Sequence, residues 1–238
     1  MINAINTETL NDKFKIKPVS GYLENNPNNI ILDFEKELLE YCSNEPEEYQ
    51  CVIVDSLTNA LDVCLFMNKL EGKNFKLTLP AQTYISVYIT CKDYGPIILE
   101  DINWENYYKI GNIIDSAAYL PFKELENIFN KNKEVEYLLL SFGNSKPLAN
   151  NRGGAIIFKK DINKYNFIKR YVHNGRDSAL KVENDNILKI NNEVFGKRYN
   201  LVPEQVKILL EKLKKRDIKN IKSSYVNYPS IKRIIGEE

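Results

Sequence analysis

The sequence predicts an α/β fold, a mainly parallel sheet with helices on both faces. Three observations carry this. Short apolar runs recur without the strict alternation of a half-exposed strand, as strands covered on both sides require. Each run ends in polar residues, and most lead into segments with helical spacing. Amphipathic helical spacing, as at 31–42 and 161–171, supplies helices to pack on such a sheet.

The elements follow in order. Residues 31–42 place Ile31, Phe34, Leu38, Leu39 and Cys42 on one helical face, with acids and Lys36 elsewhere, which is a surface helix packed on a core. Gln50–Val54 is a strand ending in Asp55-Ser56, and Thr58–Lys69 resumes helical spacing. Lys76–Leu79 is the next strand, leading through Pro80-Ala81-Gln82-Thr83 into Tyr84–Cys91. Pro96–Asp101 and Asn112–Asp115 are further buried-strand candidates, followed by a helix near Phe122–Asn132. Val135–Leu140 and Gly154–Phe158 complete the strands. Asp161–Tyr171 is amphipathic, and Pro203–Lys215 has proline at its start, acid in its first turn and lysines in its last, as the helix dipole favours. Residues 216–238 have weak periodicity and read as a tail that docks elsewhere or stays mobile.

Composition narrows the function. With 43% hydrophobic and 27% charged residues, 238 residues can build a full core and are neither disordered nor repetitive. A net charge of +1 gives no broad field for nucleic acid, and the lysines of 212–222 read as a solvated helical face. Cys42, Cys51, Cys64 and Cys91 form no CxxC pair, and with His173 as the single histidine a zinc site is hard to assemble. They read as buried or half-buried thiols in a reducing compartment. The first residues lack the apolar stretch of a secretory signal, and no run reaches the length of a membrane span. The expectation is a cytoplasmic protein without a membrane partner.

In open α/β sheets, ligands bind beyond the carboxyl ends of the strands. Asp55-Ser56 with Thr58, Gln82-Thr83-Tyr84, Asp115, and Ser141 with Lys146 all fall there. Taken singly, Asp55 and Asp115 read equally as helix caps, Tyr84 as core, Lys146 as a solvated lysine and Gly153-Gly154 as a turn. His173 reads as a surface or interface residue. The stretch Leu140–Ala155 is the informative one: a buried strand ends, a loop of hydroxyl, amide and glycine residues carries one lysine, and a Gly-Gly pair permits close backbone approach before the next strand. A lysine desolvated in such a loop is a candidate Schiff-base former.

SFGNSKPLANNRGGAI, with Ser141, Lys146, Gly153 and Gly154 in their spacing, resembles the lysine segment of the DegT/DnrJ/EryC1/StrS sugar aminotransferases, which are PLP-dependent enzymes of fold type I. Other segments resemble the family in its order: DFEKELLEY (33–41), DSLTNALDV (55–63), LPAQTYISV (79–87), GPIILEDI (95–102), IIDSAAY (113–119), VHNGR (172–176) and RYNLVPEQVKILLEKL (198–213). The resemblance covers roughly residues 30–215.

It implies an N-terminal arm (1–30), a PLP-binding domain (31–215) and a tail or remnant of a truncated small domain (216–238). It implies pyridoxal 5′-phosphate as cofactor, attached to and served by Lys146, with Asp115 paired to the ring nitrogen. Tyr84 stacks on the ring, and Ser56, Thr58 and Ser141 hold the phosphate. Asn200 reaches the phosphate of a second subunit, so a homodimer follows. The implied reaction moves an amino group from glutamate or glutamine to a nucleotide-linked ketosugar. The chain departs from the pattern at Leu57, where the family has glycine, at Ala118, where it has Gln or His, and between Asp101 and Asp115, where 13 residues replace a strand and helix. Those departures leave a second reading, a catalytically reduced relative acting as a binding or partner subunit.

Overall fold

The computed structural model describes residues 29–73, 76–175, 196–219, 221 and 224–236. The expected N-terminal arm lies outside the described residues except for its last two, and Arg176 of the VHNGR segment also lies outside them.

The chain alternates as its periodicity predicts. Helix α1 (Asn29–Cys42) is followed by strand β1 (Tyr49–Val54), α2 (Leu57–Leu70), β2 (Leu77–Pro80), α3 (Ile85–Lys92) and β3 (Ile97–Glu100). Then come β4 (Tyr108–Ile110), β5 (Ile113–Asp115), α4 (Leu125–Lys131), β6 (Tyr137–Ser141), β7 (Gly154–Lys159), α5 (Ile162–Tyr171), α6 (Pro203–Lys214) and the short α7 (Ile231–Ile235). Ser56 caps α2 by accepting from the Asn59 N–H at 3.1 Å, and Asp161 caps α5 by accepting from the Asn163 and Lys164 N–H groups.

Two buried apolar clusters lie on opposite faces of the main sheet. Val52, Val54, Leu139, Ile156 and Phe158 belong to one, with α2 and α5. Cys51, Ile53, Leu138, Leu140 and Ile157, their neighbours along the same strands, belong to the other, with α1, α4 and α6. Successive residues point to opposite faces, so a run buried on both sides must be apolar throughout. That is the unalternating pattern of the sequence.

The α/β layering holds, and the strand directions are more mixed than the sequence suggests. The main sheet has the order β1-β7-β6-β5-β4, and β2 pairs with β3 in a separate parallel ribbon. β1, β5 and β6 run one way, but β7 lies reversed between β1 and β6, and β4 folds back on β5 through Gly111 at φ 58°. Within this sheet only β5–β6 is therefore a parallel pairing. β3 is half-buried rather than a fully covered strand.

The tail corrects a second expectation. Residues 224–236 dock on the chain's own body: the Tyr225 N–H donates to the Trp104 carbonyl at 3.1 Å and the Ile231 N–H to that of Ala81 at 2.7 Å, with Ile231 fully buried. The four cysteines are free and buried. Among the described residues no helix is long and apolar enough to cross a membrane.

Candidate active site

The ends of β1, β2, β5 and β6 open onto one crevice of about 370 Å³. Ser56, Thr58, Tyr84, Asp115, Ser141 and Lys146, far apart in the sequence, all line it. Asn200 does not line it. Its neighbour Tyr199 accepts the Asp55 N–H through its carbonyl at 2.7 Å, which puts Asn200 beside the carboxyl end of β1 but outside the lining.

One wall is the start of α2. Ser56 is its N-cap, and the Thr58 hydroxyl shares a 3.0 Å hydrogen bond with Ser86 of α3. The first N–H groups of a helix have no partner within it, so this end offers donors and the positive end of the helix dipole to an anion. Leu57 is buried in the apolar cluster while also bordering the crevice. Behind it Asp55 accepts from Asn59 Nδ2 at 2.6 Å and pairs with Arg152, a residue that also borders the crevice.

The opposite wall is the loop after β6. The Phe142 N–H donates to the Gly153 carbonyl at 2.8 Å and the Asn150 N–H to that of Phe142 at 2.7 Å, closing the loop on itself. Within it the Lys146 N–H donates to the Gly143 carbonyl at 3.0 Å, a tight turn that presents a half-buried lysine to the cavity. Gly154 explains why a glycine follows. A Cβ there would stand 2.7 Å from the Leu57 nitrogen and the Ser56 carbonyl carbon. The bare backbone of β7 thus lets the lysine loop and the α2 turn meet.

Asp115 closes the floor. It is 2% exposed, accepting the Tyr108 hydroxyl on Oδ2 at 2.8 Å and the Ala117 N–H on Oδ1 at 2.9 Å. Burial pushes its carboxyl above the usual range, and the Tyr108 hydroxyl, the Ala117 N–H and the Lys146 charge each pull it back. Asp115 caps no helix: a turn over 116–119 follows it, and the next helix starts at Leu125. Tyr84 is not core either, being 61% exposed at the rim. Ala118, buried at 5% exposure, contributes no polar group to the floor.

Residues without a sequence-assigned role complete the pocket. Tyr108 and Trp104, with ring centroids 4.9 Å apart, come from the shortened stretch between Asp101 and Asp115. Tyr228 of the docked tail lies 5.5 Å from Trp104 and borders the same cavity. Only the aromatic density of Trp104, Tyr107 and Tyr108 hinted at the first two. Nothing near Tyr228 marked it.

The layered α/β fold is that of known aminotransferases. PseC of Helicobacter pylori, an aminotransferase involved in the biosynthesis of pseudoaminic acid, superposes with a TM-score of 0.55 at 15% identity, over 91% of this chain and 64% of its own. A DegT DnrJ EryC1 StrS aminotransferase from Brucella abortus gives 0.51 at 15% identity, over 87% and 64%. NtdA from Bacillus subtilis, solved with its cofactor PMP, gives 0.50 at 17% identity, over 87% and 51%. The chain thus spans less than two thirds of the length of these structures. No protein-family model and no curated protein sequence matches it. The structural neighbours are of the type that the sequence resemblance names.

The crevice suits a phosphorylated pyridine aldehyde. It sets an amine at Lys146, a buried carboxylate at Asp115, and hydroxyls at Ser56, Thr58 and Ser141 beside a helix start, around a volume that admits one small ring.

Proposed function

We propose that this chain binds pyridoxal 5′-phosphate at Lys146 and transfers an amino group, acting on a nucleotide-linked ketosugar with glutamate or glutamine as donor. The observation that carries this reading is that Lys146 and the buried Asp115 border one crevice whose third side is the start of α2.

Bound there, the cofactor supplies an electron sink for breaking and making bonds at an amine-bearing carbon. The chain's residues do the rest. Lys146 Nζ would hold the cofactor and would carry the proton to and from the substrate carbon. Asp115 accepts a hydrogen bond from the ring N–H and keeps that nitrogen protonated. Ser56, Thr58 and Ser141 would donate to the phosphate, and Tyr84, at the rim, would flank the ring. Asn200, outside this crevice, is free to serve the site of a second copy in a homodimer. The four buried, unpaired thiols support a cytoplasmic location.

The test begins with pyridoxal phosphate added to the purified chain. A visible absorbance band should form that borohydride fixes as a mass addition on the Lys146 peptide, and Lys146→Ala should abolish both. Protein that takes up no cofactor ends the reading. Leu57 and Ala118 favour one second reading, a cofactor-binding relative without turnover: the band then forms, and no amino acid, glutamate included, bleaches it.

A further inference from the structure

The strongest unassigned feature of the crevice is a run of three side chains beneath it. Thr83 Oγ1 lies 2.5 Å from the Tyr108 hydroxyl, which lies 2.8 Å from Asp115 Oδ2. All three are buried, Thr83 at 1% exposure, Tyr108 at 8% and Asp115 at 2%. With Asp115 ionised, proton counting sets the direction of the chain. An ionised carboxylate only accepts, and a phenol has one proton to give. Tyr108 therefore donates to Asp115, and Thr83 donates to Tyr108.

The second carboxylate oxygen is held by the Ala117 N–H, so each oxygen of Asp115 is held by one fixed donor and its plane is set. Each oxygen also keeps acceptor capacity. Among the described residues the charged or titratable groups facing it are Tyr108 from β4, Lys146 from the loop after β6 and the thiol of Cys91 from α3. Burial keeps the Cys91 thiol neutral by pushing its pKa up to about 12, and among the described residues Tyr108 is the one side chain that hydrogen-bonds this carboxylate directly.

We infer that Tyr108, backed by Thr83, is a positioning residue that orients Asp115 and keeps it anionic toward the crevice. This rests on the cofactor reading for its purpose, since a carboxylate held anionic and aimed is what a protonated ring nitrogen requires. It needs no cofactor for its test.

The experiment is a pH titration of the Asp115 carboxyl by infrared spectroscopy on the cofactor-free chain, isolated as the difference from Asp115→Asn. Tyr108→Phe removes a donor that favours the ionised form, so the midpoint should rise by about one pH unit, roughly tenfold in proton affinity. Thr83→Val should move it the same way by less, and serves as the decisive variant if Tyr108→Phe fails to fold. Pyridoxal phosphate should bind Tyr108→Phe roughly tenfold more weakly, by fluorescence titration. An unchanged midpoint in a folded variant overturns the inference. Absent cofactor uptake with a shifted midpoint overturns the cofactor reading and leaves the positioning role standing.

Discussion

Gly154 lies against Leu57 so closely that a Cβ on the glycine would come within 2.7 Å of the leucine nitrogen. The contact joins the first residue of β7 to the first residue of α2. It therefore fixes how far the lysine loop stands from the helix start proposed to hold phosphate.

Gly154→Ala is accordingly a geometric test of the site. The added methyl meets backbone atoms, which cannot rotate away as a side-chain end can, so β7 and the α2 turn must separate. Overpacking of this kind costs about 1–3 kcal/mol. We expect a loss of that size in urea unfolding, together with weaker uptake of pyridoxal phosphate. Gly143→Ala is the control, because its Cβ would make only ordinary contacts with Lys146 and Ser141, at 3.8 and 3.9 Å.

The thiols make a second prediction. Burial pushes Cys51 and Cys64 well above the ordinary range, Cys42 upward and Cys91 to about 12. Reaction requires the thiolate and access, and these groups have neither. Ellman's reagent should label none of the four in the native protein at pH 8 and all four in guanidinium chloride. Rapid labelling of one under native conditions would show that its covering helix opens.

His173 gives a pH dependence. Burial, and secondarily the Lys169 charge, lower it to about 4 from an ordinary 6.5. Between those values the unfolded chain binds the proton and the folded chain does not, so stability rises with pH there. The folded state should lose stability as pH falls from about 6.5 towards 4, and His173→Gln should flatten that part of the profile measured by denaturant midpoints. Because His173 does not border the crevice, the substitution should leave the cofactor band in place.

Much of this architecture is legible in the sequence because burial writes itself into composition. Val52 and Ile53 face opposite clusters and are both apolar, and that doubled requirement marks β1 as covered on both sides. The lining of the crevice was legible where strands end in polar residues, as at Asp115 and Ser141. Strand direction was not, since an apolar run reads the same either way, and the reversal of β7 is set by tertiary connections. Tyr108 sits in a strand of three residues, too short to carry a period. The tail was illegible for a related reason: it docks through single residues, Ile231 in the core and Tyr228 at the crevice, rather than through a periodic face.

The last prediction concerns the edge of the main sheet. β1 is an outer strand, and its outward N–H groups need partners other than a strand. Glu35 of α1 takes the Ile53 N–H at 3.0 Å, and the same carboxylate accepts Lys169 Nζ at 2.7 Å and the Tyr165 hydroxyl at 3.0 Å. Both charged side chains are nearly buried, at 6% and 9% exposure. Removing one member of such a pair strands the other charge in a poorly polarisable interior, which costs about 3–5 kcal/mol, whereas neutralising both removes the need for either. Lys169→Met should therefore destabilise strongly in guanidinium unfolding. Adding Glu35→Gln should restore part of the loss, because the amide oxygen still accepts from Ile53 and no longer needs a cation. Simple additivity of the two substitutions would mean that the carboxylate serves the strand edge alone and that Lys169 contributes nothing through it.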